Sequence, residues 1–326
     1  MKRFQSILGA IVVVCASIMV ALSGTVSGAS LDKGNGMQVA PVRTDLILKP
    51  GESKTITVLV KNVTGGKELL RVVTNDFTAN DESGAPGLLL NGESDPNHGL
   101  KEYMTVPETV TVPKGEQKEV RVTIKMPENV AGGGYYGAVR FIPIIDANNT
   151  NTQGDSVSLA GSVASLVLVR VPGDIVDNLQ VASLSAAKND NAGSFFTSGN
   201  GLQAIVRFRN AGNVQEQPFG KILVKKGDKT IGTYDVNNAT PPGNILPDSI
   251  RRFTIDLNGK VSGFGKYTLV GNFGYGSGSQ ALTASTTFFI IPLYIIIAVV
   301  VLIAVIVGLV LYMKNYKKRI LRSARR

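Results

Sequence analysis

Between residues 37 and 291 apolar and polar side chains alternate in short runs, broken every several residues by Gly, Pro, Asn or Asp. That is the period-two signature of half-buried strands rather than the 3.6-residue period of helices. In Val120-Arg121-Val122-Thr123-Ile124-Lys125-Met126 the four apolar residues fall on one face and the charged and hydroxyl residues on the other. Thr55-Ile56-Thr57-Val58-Leu59-Val60-Lys61 repeats the pattern, introduced by a Pro50-Gly51 turn and closed at Asn62. Pro113-Lys114-Gly115 introduces the strand at Val120 in the same way. Ala138 to Ile144 and Val163 to Val171 read as closing strands, with the polar residues 146–156 as the tip between them. These elements predict a β-sandwich over residues 37–172, with Pro172-Gly173-Asp174 as a hinge. Beyond it, Ala204-Ile205-Val206-Arg207-Phe208-Arg209 ends in the turn Asn210-Ala211-Gly212-Asn213. Leu246-Pro247-Asp248 leads into Arg252-Phe253-Thr254-Ile255-Asp256-Leu257, Gly265-Lys266-Tyr267-Thr268-Leu269 starts another strand, and residues 286–291 form the last. A second, smaller sandwich is therefore expected over residues 174–291. No solenoid period joins the two.

The pattern changes at both ends. Residues 292–313 form an uninterrupted apolar stretch, long enough as a helix to cross a hydrocarbon core of roughly 30 Å. Pro292 suits a first helical turn, and Tyr294 and Tyr312 fall where interfacial aromatics sit. The basic residues that follow, over 314–326, mark a cytoplasmic tail, so the body of the chain is expected outside the cell. At the other end, Met1-Lys2-Arg3 precedes an apolar run over residues 7–22 and a small-residue exit, the form of a secretory signal peptide over residues 1–29. Cys15 is not read as a lipidation site, because Val14 is too large and the apolar run continues past it. The mature chain is then free of cysteine and of disulfides. The expected fold class is all-β: two immunoglobulin-like β-sandwich domains followed by a single C-terminal transmembrane helix, in a single-pass protein of the cell membrane.

Charge supports this topology and removes one class of partner. The formal net charge is +10, but two of the 34 Lys and Arg lie in the signal segment and seven in the tail. All 24 Asp and Glu lie between, so 25 basic face 24 acidic residues and the exported body carries +1. A nucleic-acid function loses its main support.

Catalytic chemistry finds little material. The chain has one histidine, His98, in the polar stretch Asp95-Pro96-Asn97-His98-Gly99, where a general base is weighed against a solvated loop residue. With one His and no mature Cys a zinc site would rest on carboxylates, which zinc sites rarely do. The acids of residues 79–99 (Asp81, Glu82, Glu93, Asp95) lack EF-hand spacing and are split by Gly87-Leu88-Leu89-Leu90. That stretch reads as a solvated connection open to partner contacts. Gly132-Gly133-Gly134 lacks the Lys-Ser/Thr and helix of a phosphate cradle. No cofactor and no metal are expected, and the protein is read as not an enzyme. Leu246-Pro247-Asp248-Ser249-Ile250 lies too far from the anchor to serve as a sorting signal. Asn62-Val63-Thr64, Asn148-Asn149-Thr150 and Asn238-Ala239-Thr240 match the glycosylation pattern.

The most distinctive local sequence is Gly132-Gly133-Gly134-Tyr135-Tyr136-Gly137. Glycines permit close backbone approach, and adjacent tyrosines on a strand point to opposite faces. One tyrosine is then core and the other free to stack on a sugar or a partner, with Arg140 on the Tyr136 face. Tyr135, Tyr136 and Arg140 are the ligand-binding candidates. The competing reading is a glycine turn entering a strand whose tyrosine is an anchor.

These residues carry a resemblance. Leu46-Ile47-Leu48-Lys49-Pro50-Gly51 with its strand to Asn62, Asn75-Asp76-Phe77, and Val112-Pro113-Lys114-Gly115 form its first part. Met126-Pro127-Glu128-Asn129 and Gly134-Tyr135-Tyr136-Gly137-Ala138-Val139-Arg140-Phe141 complete it. Together they resemble the N-terminal domain of the WxL-interacting proteins of Gram-positive bacteria. Phe208-Arg209-Asn210, Leu246-Pro247-Asp248-Ser249 and Phe264-Gly265-Lys266-Tyr267 are similar, more loosely, to that family's membrane-proximal domain. The resemblance implies an Ig-like pair at the cell surface, with peptidoglycan binding in the first domain and partner or host-matrix binding in the second. It transfers no ligand residues. The expected function is a non-enzymatic membrane-anchored adaptor for peptidoglycan or a wall-associated surface protein. The alternatives are an assembly chaperone or pilus-like adaptor acting by β-strand addition, and an accessory or carboxylate-dependent hydrolase.

Overall fold

The computed structural model describes residues 36–144, 161–257, 259, 261–276 and 280–323. The signal segment, Cys15, the 146–156 tip, Asn148 and the last three residues of the tail lie outside the described residues.

Alternation becomes strand wherever the sequence shows it. The first sandwich comprises β1 (Met37–Ala40), β2 (Arg43–Ile47), β3 (Ser53–Asn62), β4 (Glu68–Ala79) and β5 (Pro86–Leu88). It continues with β6 (Met104–Thr105), β7 (Thr109–Val112), β8 (Gln117–Lys125), β9 (Gly133–Pro143) and β10 (Val163–Val171). One sheet runs β1-β3-β8-β6 and the other β2-β10-β9-β4-β5, with β7 also on β4. The chain crosses from β1 in one sheet to β2 in the other through a cis Ala40–Pro41 bond, and β2 then pairs in parallel with β10. The inward residues of both sheets meet in one core: Val58, Val60, Val120, Val122 and Ile124 against Leu70, Val72, Val139, Phe141 and Val169.

The second sandwich comprises β11 (Leu179–Lys188), β12 (Asn191–Ala192), β13 (Phe195–Phe196), β14 (Leu202–Asn210) and β15 (Phe219–Lys226). It closes with β16 (Lys229–Val236), β17 (Ile250–Asp256), β18 (Gly265–Tyr275) and β19 (Gln280–Ile290). Its sheets run β12-β11-β14-β17 and β13-β19-β18-β15-β16. Ala204, Val206 and Phe208 face Ile222, Val224, Tyr267 and Phe288 across its core. The fold is thus all-β in sandwich layers, as the alternation predicts.

Each sandwich uses one buried asparagine where a long strand runs into a turn. Asn62, at the end of β3, gives Nδ2 to Gly66 O and Val112 O, and its Oδ1 accepts from the Thr64 N–H and hydroxyl. Asn210, at the end of β14, gives Nδ2 to Val214 O and Ile245 O, and its Oδ1 accepts the Gly212 N–H. Both are 0% exposed, which a polar side chain tolerates only with its donors and acceptors satisfied. The Asn62 sequon is therefore sealed in the fold, whereas Asn238 is exposed.

One helix, α1 (Leu293–Ser323), ends the described chain, and over Leu293–Lys314 it is long and apolar enough to cross a membrane. Ile291 and Pro292 alone separate it from β19, and the Ile295 N–H closes its first turn on Pro292 O. The exposed Phe195 stacks on Phe289 beside that junction, with centroids 5.4 Å apart.

Replacing either buried asparagine strands buried carbonyls and N–H groups. Asn210→Ala is expected to lower stability by about 2–3 kcal/mol, read by denaturant titration of the full chain, while exposed Asn238→Ala stays within about 0.5 kcal/mol.

Candidate functional site

Strand β9 carries the predicted candidates, and its alternation decides where each points. Tyr135 turns toward the first core, where its ring meets Tyr103 at 6.3 Å and its hydroxyl donates to Ala131 O at 3.0 Å. Burial pushes its phenol pKa up, with Tyr103 adding to the shift. Tyr136 points the other way, as expected of adjacent strand residues, but that side is not open. The second sandwich covers it, and the side chain is 2% exposed. Its hydroxyl donates to Gln215 Oε1 at 3.0 Å, and its ring sits 5.9 Å from both Phe77 and His98. Burial raises its phenol far above the ordinary range, so it stays a donor. Arg140 lies on the same face, opposite Val73 and Ala164, and its Nε is buried without a partner.

The glycines before these tyrosines bring two backbones together. The Gly134 N–H donates to Asn213 O at 2.8 Å, and Asn213 Nδ2 reaches Gly132 O at 3.2 Å and Asp174 O at 2.9 Å. Asn213 Oδ1 accepts the Val176 N–H at 2.8 Å. A Cβ at Gly132 would lie 2.6–2.8 Å from the backbone of Gly173 and Asp174, a distance real side chains do not reach. The Pro172-Gly173-Asp174 passage, expected as a hinge, is thus pinned on both sides.

Residues 79–99, expected as a solvated connection, form a second tie. Asp76 holds the base of this arm: its carboxylate accepts the N–H groups of Leu100, Lys101 and Asp95. At its tip, Glu82 Oε2 accepts Arg207 Nε at 2.7 Å, and Glu82 O accepts the Arg252 N–H at 2.7 Å. Asp95 is occupied by the Asn97 and His98 N–H groups, and Asp81 by the Ser83 N–H. His98 Nδ1 lies 2.7 Å from Gly134 O. These groups hold the arm and the seam rather than facing one another across a reaction site.

Charge is also buried at the seam. Glu216 is 2% exposed and lies near Asp177, which Arg170 pairs at 3.2 Å. Burial pushes the Glu216 carboxyl up to about 7, with neighbouring Asp177 adding to the rise and Arg170 opposing it. Further along the same interface the outer face of β10 and β9 presents Leu168, Tyr136 and Ala138, packed with Phe77 and capped by Leu246 from the other sandwich. Beside this contact lies a cavity of about 80 Å³, bordered by Arg43, Leu166, Leu168, Asn244 and Arg251.

The fold defines a class: a pair of Ig-like β-sandwiches joined by a seam of apolar and polar contacts and followed by an apolar helix. Residues 44–142 match the family model described as "WxL Interacting Protein, peptidoglycan binding domain", which bears out the resemblance read from the sequence. No curated protein matches the chain. Among solved structures, the chain is similar to the class 5 fimbriae chaperone CfaA, at 17% identity and a TM-score of 0.38, over 79% of this chain and 100% of that one. It is also similar to the E. coli chaperone DraB, at 14% identity and a TM-score of 0.33, over 78% and 98%.

Sequence reasoning singled out Tyr135, Tyr136 and Arg140 as candidates and passed over Asn213, Gln215, Glu216, Asn244, Arg43 and Arg251. Local sequence gives little sign of them: Glu216 lies between Gln215 and Gln217, and Asn244 follows Pro241-Pro242-Gly243 in a turn-like stretch.

Two outcomes test the seam. Gly132→Ala should loosen it, raising hydrogen exchange about tenfold or more around residues 172–178 and 211–216 while the cores stay protected. For Glu216, the folded protein holds the proton more tightly than an unfolded carboxyl with its ordinary 4.5. The associated stabilisation is complete below about pH 4.5 and is lost as pH rises through about 7. Glu216→Gln should remove that slope from unfolding free energies measured across this window.

Proposed function

We propose that the protein is a non-enzymatic adaptor of the cell surface that binds peptidoglycan through its first sandwich and is held in the membrane by α1. The match of residues 44–142 to a peptidoglycan binding domain carries this reading. Those residues run from within β2 to within β9, so they take in most of the first sandwich and the arm that ties it to the second. The apolar helix two residues after β19 and the basic residues behind it support an anchor with the sandwiches outside. On this reading residues 37–172 form the wall-binding domain and residues 174–291 the membrane-proximal domain packed against it.

The candidate residues take different parts. Tyr135 and Tyr136 brace β9 from its two sides, while Arg140, on the stretch of sheet beyond Ala138, has an unused buried donor to offer a ligand. Binding rather than catalysis is supported by how these polar groups are occupied: His98 Nδ1 is set against Gly134 O, Asp81 and Asp95 hold backbone N–H groups, and Glu82 meets Arg207.

The test uses the full chain in detergent, mixed with purified insoluble cell wall and sedimented. The chain is expected in the pellet at both low and moderate salt, because a body of net charge +1 leaves little for bulk ionic attraction to do. Retention in the supernatant at both salts overturns the reading.

A further inference from the structure

An arginine brings a permanent positive charge and five N–H donors, so burying it without acceptors is costly. In the cavity between the sandwiches Arg251 is half-buried and only partly satisfied. Its Nη1 donates to Asn244 O at 2.7 Å, but its Nε is buried without a partner. Among the described residues no carboxylate lies within ion-pair distance of it. Gly84 and Gly243 press on its guanidinium so closely that a Cβ at either position would clash with it. The group is therefore clamped in place.

Two more donors border the same space. Asn244 is 9% exposed; its Oδ1 accepts from Gln217 Nε2 at 2.6 Å, which leaves its buried Nδ2 unpartnered. Arg43 enters from β2, opposite Leu166 of β10, giving Nη1 to Pro242 O at 3.0 Å and Nε to Asp45 at 2.8 Å. Asp45 is 43% exposed, so water screens much of that pair. The acid of the lining, Asp81, is exposed to solvent and accepts the Ser83 N–H. Burial, and then the charge of Arg43, lower the Arg251 pKa, so the two cations repel across the space. The floor is apolar, formed by Phe77, Leu166, Leu168 and Leu246.

Two guanidiniums and an idle amide above an aliphatic floor suit a carboxylate beside a short apolar side chain. The volume, about 80 Å³, is several times what one water needs (~10–15 Å³). A sulfate or a sugar would leave the aliphatic floor unused. We propose that this cavity receives the terminal carboxylate of a wall stem peptide, with the carboxylate on Arg251 and Asn244 and the last alanyl methyl against Leu166 and Leu168. The assignment rests on the peptidoglycan reading, since that polymer carries free D-alanyl carboxylates.

The test titrates full-length protein in detergent with N-acetyl-Lys-D-Ala-D-Ala by calorimetry. Saturable binding is expected, weakened about tenfold or more in the C-terminal amide, which removes the charge that Arg251 meets. Arg251→Gln should weaken binding to a similar extent. Asn244→Asp, close in shape, places a carboxylate in the cavity and should abolish binding with the melting temperature retained, which covers the case in which Arg251→Gln misfolds. Equal affinity for acid and amide overturns the proposal. So does tighter binding of the L-Ala-L-Ala peptide, which would point to a protein C-terminus. If no peptide binds but the chain still pellets with wall, the cavity assignment is wrong and the wall reading stands. If pelleting fails too, both fall.

Discussion

A β-sheet has two faces, and a sandwich hides only one of them. In the first sandwich the second face of β9 and β10 is also apolar, carrying Tyr136, Ala138 and Leu168, with Phe77 beside them on β4. That surface is stable in water only if something covers it, and the second sandwich does so through Leu246 and the Gln215 side chain. The need to bury this outer face is what the rest of the arrangement serves. Gly132 lets the two backbones close on each other, Gly134 leaves room for the Tyr136 hydroxyl, Asn213 bridges the stretches, and the 79–99 arm ties the far side through Glu82.

Covering an apolar face with a second folded body leaves polar groups trapped at the margin. Some are satisfied: the Arg170–Asp177 pair and the hydroxyl of Tyr136 are examples. Others are not, including Arg251 Nε, Asn244 Nδ2, Arg140 Nε and Glu216 Oε1. An unmet buried donor costs stability, so Arg251 Nε and Asn244 Nδ2 together beside an apolar hollow point to a ligand more strongly than exposed side chains do. Glu216 shows the same strain differently, holding its proton toward neutral pH because burial disfavours its charge.

Much of the architecture was legible because strand formation is local. The face that buries Val120, Val122 and Ile124 is the face their alternation marks, and the apolar stretch after Pro292 forms the helix expected of it. The opposite directions of Tyr135 and Tyr136 also follow from the strand period. The close approach suggested by Gly132 to Gly134 is real, although its object is another stretch of this chain. The 79–99 arm looked solvated because its residues are polar, and Glu82 gives no local sign that Arg207 waits on another sheet.

The sequence by itself determined the strands, the two sandwiches, the apolar helix and the likeness to a wall-binding family, because each depends on periodicity, length or short motifs read over a few residues. Only the tertiary structure decided that Tyr136 is covered, that the expected hinge is pinned, and that Arg43, Asn244 and Arg251 border one cavity. Those outcomes depend on residues up to about two hundred positions apart in the chain, such as Arg43 and Pro242, meeting across an interface. No local pattern encodes such a meeting; it follows from which apolar faces must be hidden from water.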